Sequence, residues 1–195
     1  MLNEAYLFKK VMREITPLTA NDCFSIFSRR KKVFTFPLHT HEEMELNLIL
    51  GGAGTQRIIG DHIGDITDAE LVLVGSNLPH GWFTNGSGDK EILEVTIQFN
   101  RELFSQNFLE KNQLMPIRKL FENAKRGILF APEVIQSIAP RIIELEQKNG
   151  FDSFLHLMSL LHELSIAQCS RYLSDPSFSK EIMSYDRGRL ETAFD

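Results

Sequence analysis

The chain has 195 residues, of which 43% are hydrophobic and 24% charged, and carries a formal charge of −5. That balance excludes a disordered polypeptide and argues against a surface that grips nucleic-acid phosphates unaided. Fifteen Phe stand against one Trp, which predicts an interior rich in phenyl rings that lack a polar handle. The length suits one domain, or a compact domain with an attached helical part. The N-terminus has an early acid, Glu4, and interrupted apolar residues, so it makes a poor signal peptide. No apolar run approaches the roughly 20 residues needed to span a bilayer, and a cytoplasmic location is expected. Cys23 and Cys169 are far apart and read as ordinary buried thiols.

Residues 1–16 form a short amphipathic stretch, expected to be helical, that stops before Pro17. From 22 to 99 short strands follow one another, predicted at 23–29, 32–38, 44–50, 55–59, 62–66, 71–74, 81–84 and 92–99. The basic run Arg29-Arg30-Lys31-Lys32 reads as a solvated turn between the first two. Gly60-Asp61 suits a tight hairpin turn, because glycine tolerates positive φ, and 85–89 is a polar loop. Many short strands with no helix between them indicate an antiparallel sandwich or barrel. After Asn100 the apolar spacing becomes helical, over 101–112, 115–126, 132–148, 151–173 and 179–195. In the fourth of these Phe154, Leu157, Met158, Leu161 and Leu164 form a core-facing stripe, capped by Asp152 or Asn149. His156 and His162 are six apart, so they face different sides of that helix and cannot share a metal. The last residues open a new apolar helical face and stop without a cap, and the end is expected to be a cut with further sequence downstream.

Four residues carry most of the chemistry. His39, His41 and Glu45 share one parity in segment 37–51, which reads as a half-buried strand, so they are expected to point the same way. Two imidazoles and a carboxylate form a donor set that zinc, nickel, iron or manganese accepts. His80, from a neighbouring strand, would complete a shell of three histidines and one carboxylate. The other reading is that these groups only hydrogen-bond one another in a polar pocket. Glu43 has the parity of Glu45 and is a spare carboxylate, or an exposed one at the strand's start.

His-x-His-x3-Glu, a hydrophobic run and Gly51 resemble the first cupin motif, and Pro79-His80 resembles the second. Where cupins carry Pro-x-Gly before that histidine, this chain reads Val74-Gly-Ser-Asn-Leu-Pro79. The string from Pro37 to Trp82, with Gly60-Asp61 and segment 71–80, resembles the N-terminal effector-sensing domain of AraC-family transcription regulators, as does Arg13-Glu-Ile-Thr-Pro-Leu18 leading to Asp22-Cys-Phe24. The resemblance selects the barrel. It implies a mainly β protein with α, an antiparallel cupin-type (double-stranded β-helix) barrel followed by a C-terminal helical segment. The domains would be an N-terminal arm at 1–20, the barrel at 21–100 and a helical dimerisation region at 101–195 that leads into an absent DNA-binding domain.

The function so implied is ligand sensing and homodimerisation within a DNA-binding regulator rather than an enzyme. DNA would be met only through a C-terminal helix-turn-helix outside this chain, and no membrane is involved. The effector would be small and polar, sugar-like or an organic acid, held by His39, His41, Glu45, His80 and Trp82, with Arg57 and Gln98 as weaker candidates. Residues 1–20 would be the mobile element. The alternative is a cupin metalloenzyme, a dioxygenase or isomerase, although no second ionisable group stands out as a catalytic acid or base.

Overall fold

The computed structural model describes residues 11–84, 90–100, 103–104 and 106–178. Strands β1 (Met12–Arg13), β2 (Ser25–Lys31), β3 (His39–Thr40), β4 (Met44–Leu50), β5 (Thr55–Ile59), β6 (His62–Asp65), β7 (Ala69–Val74), β8 (His80–Thr84) and β9 (Ile92–Phe99) come first. Then follow α1 (Gln106–Leu109), a 3-10 turn (Asn112–Leu114), α2 (Met115–Ala124), β10 (Ile128–Phe130), α3 (Pro132–Leu145), α4 (Gly150–Ile166) and β11 (Cys169–Tyr172).

The strands make two sheets, one in the order β1-β3-β8-β5-β6 and one in the order β11-β10-β7-β4-β9-β2. Every pairing is antiparallel except β1 with β3. Among the described residues no ladder joins one sheet to the other. The architecture is thus two antiparallel sheets with helices, and the expected closed barrel is not formed. The chain passes between sheets in irregular segments, among them 41–43 and 75–79, which no strand ladder includes.

Alternation along the larger sheet creates two cores. Met44, Leu46, Leu48, Leu71, Leu73, Val95, Ile97 and Phe99 face the helices, meeting Phe121 of α2, Ile138 of α3 and Leu157, Leu160, Leu161 and Leu164 of α4. Each such side chain contributes about 1.5–3 kcal/mol on burial. The other face looks between the sheets, where Ile49, Ile59, Val72, Val74 and Trp82 make a second cluster. Beside it lie buried polar groups, among them Glu45, Asn47, Thr96 and Gln98.

Several expectations need correction. Segment 32–38 is irregular, and only His39–Thr40 pairs. The basic run is mostly strand, since Arg29, Arg30 and Lys31 lie in β2. Within the described part of 1–16, Met12–Arg13 is a strand and not a helix. In 101–112, α1 and the 3-10 turn replace a continuous helix. The helix expected at 151–173 stops at Ile166, and Cys169–Tyr172 pairs with β10 instead. Of the two expected caps, Asn149 takes the N-cap position, without a side-chain cap bond, and Asp152 lies inside the first turn. Cys23 is exposed. His156 donates from Nε2 to the Arg141 carbonyl at 2.9 Å and so ties α4 to α3. The loop at 85–89 and the helix at 179–195 lie outside the described residues.

The two-residue hairpin at Gly60-Asp61 is present, with Ile59 opposite His62 and Gly60 at φ 58°. Gly75 has a different reason to be glycine. Its N–H donates to the Ala124 carbonyl at 2.8 Å, and a Cβ there would lie 2.7 Å from that backbone. Gly75→Ala is therefore expected to cost about 1–3 kcal/mol as an overpacking change, readable as a lowered midpoint in urea denaturation. An unchanged midpoint would refute the close approach of this turn to α2.

Candidate metal centre

Two directly opposed pairs build the site. His39 on β3 faces His80 on β8 in the smaller sheet, and Glu45 on β4 faces Gln98 on β9 in the larger one. His41 lies on the crossing between β3 and β4. The convergence therefore does not come from one strand's parity. Segment 37–51 changes sheet after Thr40, and the histidines and Glu45 meet across the space between the sheets. One ligand atom from each of His39, His41, Glu45 and His80 lies within 4.8 Å of all the others. The ring centroids of His39 and His80 are 4.2 Å apart, and those of His41 and His80 are 4.9 Å apart.

Each imidazole is oriented by a main-chain carbonyl two residues away. His39 Nδ1 donates to Pro37 O at 2.9 Å, His41 Nδ1 to Glu43 O at 3.1 Å and His80 Nδ1 to Leu78 O at 2.8 Å. A proton on Nδ1 leaves each neutral ring with a lone pair on Nε2. Two of the Nε2 atoms lie by the Glu45 carboxylate, that of His41 in a hydrogen bond at 3.2 Å and that of His80 at 3.7 Å without a hydrogen-bond partner, while His39 Nε2 lies 3.5 Å from Glu14 Oε2. Lone pairs facing a carboxylate need a cation or added protons between them. Fixing the outer ring nitrogen with a carbonyl is also how proteins hold metal-binding histidines.

The electrostatics fit this arrangement. Burial, reinforced by the neighbouring His80, pushes the His39 imidazole down to about 3, so that ring stays neutral. Burial opposes charge on His41 as well, but its hydrogen bond to Glu45 and the charges of Glu45, Glu14 and Glu43 hold it above the ordinary value. Burial alone would raise Glu45, yet His80 and His41 keep its carboxyl well below the usual range. Asn47 and Gln98 each donate an amide N–H to Glu45 at 3.2 Å.

A cavity of about 190 Å³ opens beside the cluster. His39, Glu45, Trp82 and Gln98 line it together with Phe27, Phe34 and Phe36, and Arg29 and Lys31 lie on its β2 side. Lys31 pairs with Glu94 at 2.5 Å. Of the seven residues singled out in the sequence, His39, His41, Glu45, His80 and Gln98 come together and Trp82 forms a wall. Arg57 is turned elsewhere, into a buried ion pair with Glu70, whose other oxygen accepts from Trp82 Nε1 at 3.0 Å. Glu43 is half-buried, and its carbonyl holds His41. Sequence reasoning missed Glu14, whose Oε2 lies 3.5 Å from His39 Nε2. A single Glu in a segment without strand periodicity gave no signal.

The Arg57–Glu70 pair is all but shut off from solvent, at 1% and 3% exposure. Removing one partner leaves an uncompensated buried charge, so Glu70→Ala is expected to destabilise the fold by about 3–5 kcal/mol. Urea denaturation measures this, and a loss below about 1 kcal/mol would show that water reaches the pair.

No family model matches the chain, and no curated protein matches it. Among solved structures it is similar to ToxT from Vibrio cholerae. The ToxT structure with bound (E)-4-(8-methylnaphthalen-1-yl)but-3-enoic acid aligns at 16% identity and a TM-score of 0.45, over 79% of this chain and 61% of that one. ToxT bound to an unsaturated fatty acid aligns at 16% identity and 0.45, over 80% and 59%. A further ToxT structure gives 12% identity and 0.43, over 80% and 61%. The chain thus spans about three fifths of the length of these proteins. No helix among the described residues is long and apolar enough to cross a membrane.

Proposed function

We propose that this chain is the sensing domain of a larger transcription regulator and that its interior holds a divalent metal on His39, His41, Glu45 and His80. One observation carries the metal reading. Three histidines commit their Nδ1 protons to backbone carbonyls, and one ligand atom from each of them and from buried Glu45 gathers within 4.8 Å of the others. Zinc, nickel, iron or manganese suits such nitrogen and oxygen donors. A bound ion would neutralise Glu45 and offer an electrophilic anchor to a ligand.

The adjoining cavity is the effector site in this reading. Its volume of about 190 Å³ lies below the usual range for drug-sized ligands, which favours a small molecule. Polar Gln98, Asn47 and Thr96 on one side and Trp82 and Phe34 on the other suit a sugar-like compound or an organic acid, with polar atoms on the former and an apolar face on the rings. The regulator role rests on the resemblance of segment 37–82 to AraC-family sensing domains. Homodimerisation through α3 and α4 belongs to the same proposal, supported by the exposed Ile143, Phe151 and Leu155. DNA recognition would reside in sequence beyond this domain, since a charge of −5 disfavours phosphate binding. The cytoplasm is the location that follows.

A metalloenzyme is the second reading, favoured by the cavity abutting His39 and Glu45, which leaves room for a substrate beside the donors. Uptake of a small-molecule ligand without turnover by the metal-loaded protein would decide for the sensor, and a changed product for the enzyme.

Calorimetry with Zn²⁺, Ni²⁺ and Co²⁺ is expected to show one site per chain. His41→Ala and His80→Ala should each weaken it on the order of a hundredfold or more while thermal unfolding stays cooperative. Protons compete for the same nitrogens, so affinity should fall as pH is lowered, and against the effect of burial Glu45, Glu14 and Glu43 hold the His41 imidazole above its ordinary value. Metal binding that ignores both substitutions would defeat the assignment. For the regulator, light scattering should give a dimer, and gel shifts at stated salt should show no sequence-specific duplex binding by residues 1–195. A concentration-independent monomer, or tight specific DNA binding, would overturn those parts.

A further inference from the structure

Glu14 lies outside the four-residue set, yet its carboxylate reaches it. Its Oε2 is 3.5 Å from His39 Nε2 and 4.0 Å from His41 Nε2, is shielded from solvent, and meets no hydrogen-bond donor. Backbone pairing brings it there. Strand β1 runs parallel to β3 with Met12 opposite His39, and the Met12 and Glu14 N–H groups donate to Leu38 O at 3.0 Å and Thr40 O at 2.9 Å. Arg13 meets Glu42 and Asn77, each at 2.6 Å, but a half-exposed ion pair contributes little. A two-residue strand at a sheet edge has few other ties.

We propose that Glu14 is a fifth donor to the metal, so that metal binding fastens residues 11–14 across the site. The inference rests on the metal reading of the four-residue cluster. Donors that share one ion at about 2.0–2.2 Å stand roughly 3–3.5 Å apart, close to the separation of Glu14 Oε2 from His39 Nε2. Charge supplies a second reason. Three neutral imidazoles and Glu45 leave a divalent ion with one surplus positive charge in a buried place, and the Glu14 carboxylate cancels it. Structural zinc is almost always four-coordinate, so five donors with two carboxylates favour nickel, iron or manganese. The coupling is reciprocal: the factor by which the docked strap tightens metal binding equals the factor by which metal favours docking.

Co²⁺ serves as the probe, because its visible absorption reports coordination number. The chain, Glu14→Gln and His80→Ala are titrated by calorimetry and absorption, and amide exchange at Met12 and Glu14 is followed with and without metal. Glu14→Gln is expected to bind on the order of tenfold more weakly, with an altered Co²⁺ spectrum. Metal should slow exchange of the two amides in the parent and not in Glu14→Gln. If the parent and Glu14→Gln bind equally, with the same spectrum and the same protection, while His80→Ala loses the ion, the Glu14 proposal fails and the metal centre stands. If the parent takes up no Co²⁺, Ni²⁺, Fe²⁺ or Mn²⁺, the metal reading fails first and this inference with it.

Discussion

The structure is organised around a carboxylate in the wrong solvent. Glu45 is 3% exposed between two sheets, where an isolated ionised group is strongly disfavoured. The amides of Asn47 and Gln98 supply part of what water would have given, and the imidazoles surround the rest. Those rings hold their positions only because three carbonyls fix them, and those carbonyls lie on the irregular crossings beside the sheets. Asn77 takes a positive φ of 60° there and donates its N–H to His41 O at 2.7 Å. Gly75 packs against the end of α2. Turn chemistry far from the ligand atoms therefore sets where the ligand atoms point.

Strand β4 joins this polar interior to the helical layer. Met44, Leu46 and Leu48 face α2, α3 and α4 while Glu45, Asn47 and Ile49 face the space between the sheets. A slip of one residue would put Glu45 into the aliphatic core, so the register is held from both sides. The same geometry limits how a bound ligand could influence the helices. It must favour one of two arrangements of packed elements by differential contact, and β4, with β9 and β7 beside it, is the shared wall.

Much of this was legible in the chain and some of it was not, for identifiable reasons. Alternating strands that pair on both sides, Met44–Leu50 and Ile92–Phe99, follow their patterns to the residue, as does Thr55–Ile59. Segment 32–38 alternates too, but irregular backbone carries Phe34 into the interior without a partner strand. Strand β10 is three residues long and β11 continues a helical apolar pattern, so periodicity had too little text to separate them from helix. The His/Glu set was found through a parity argument whose premise of one strand does not hold. What survives is the residue chemistry and the spacing that lets a crossing bring both sheets' donors together. Glu14 depends on a parallel edge pairing between distant segments, which no local pattern announces.

A charge count of the interior separates binding groups from structural ones. Glu70 has Arg57, and Trp82 Nε1 besides. Glu94 has Lys31 at 2.5 Å. Each of these carboxylates has a permanent cation built into the fold, and each set is electrically complete. Glu45 sits only a few side chains away, since His80 and Trp82 are ring neighbours at 6.0 Å, yet its partners are imidazoles and amides. His39 is held neutral and His80 Nε2 is unpartnered. A guanidinium or ammonium group in the place of one histidine would have closed the balance as it does elsewhere in the same interior. The imidazoles beside Glu45 balance it only through a proton, as in the His41 hydrogen bond, so the charge balance of this carboxylate is conditional where those of Glu70 and Glu94 are permanent.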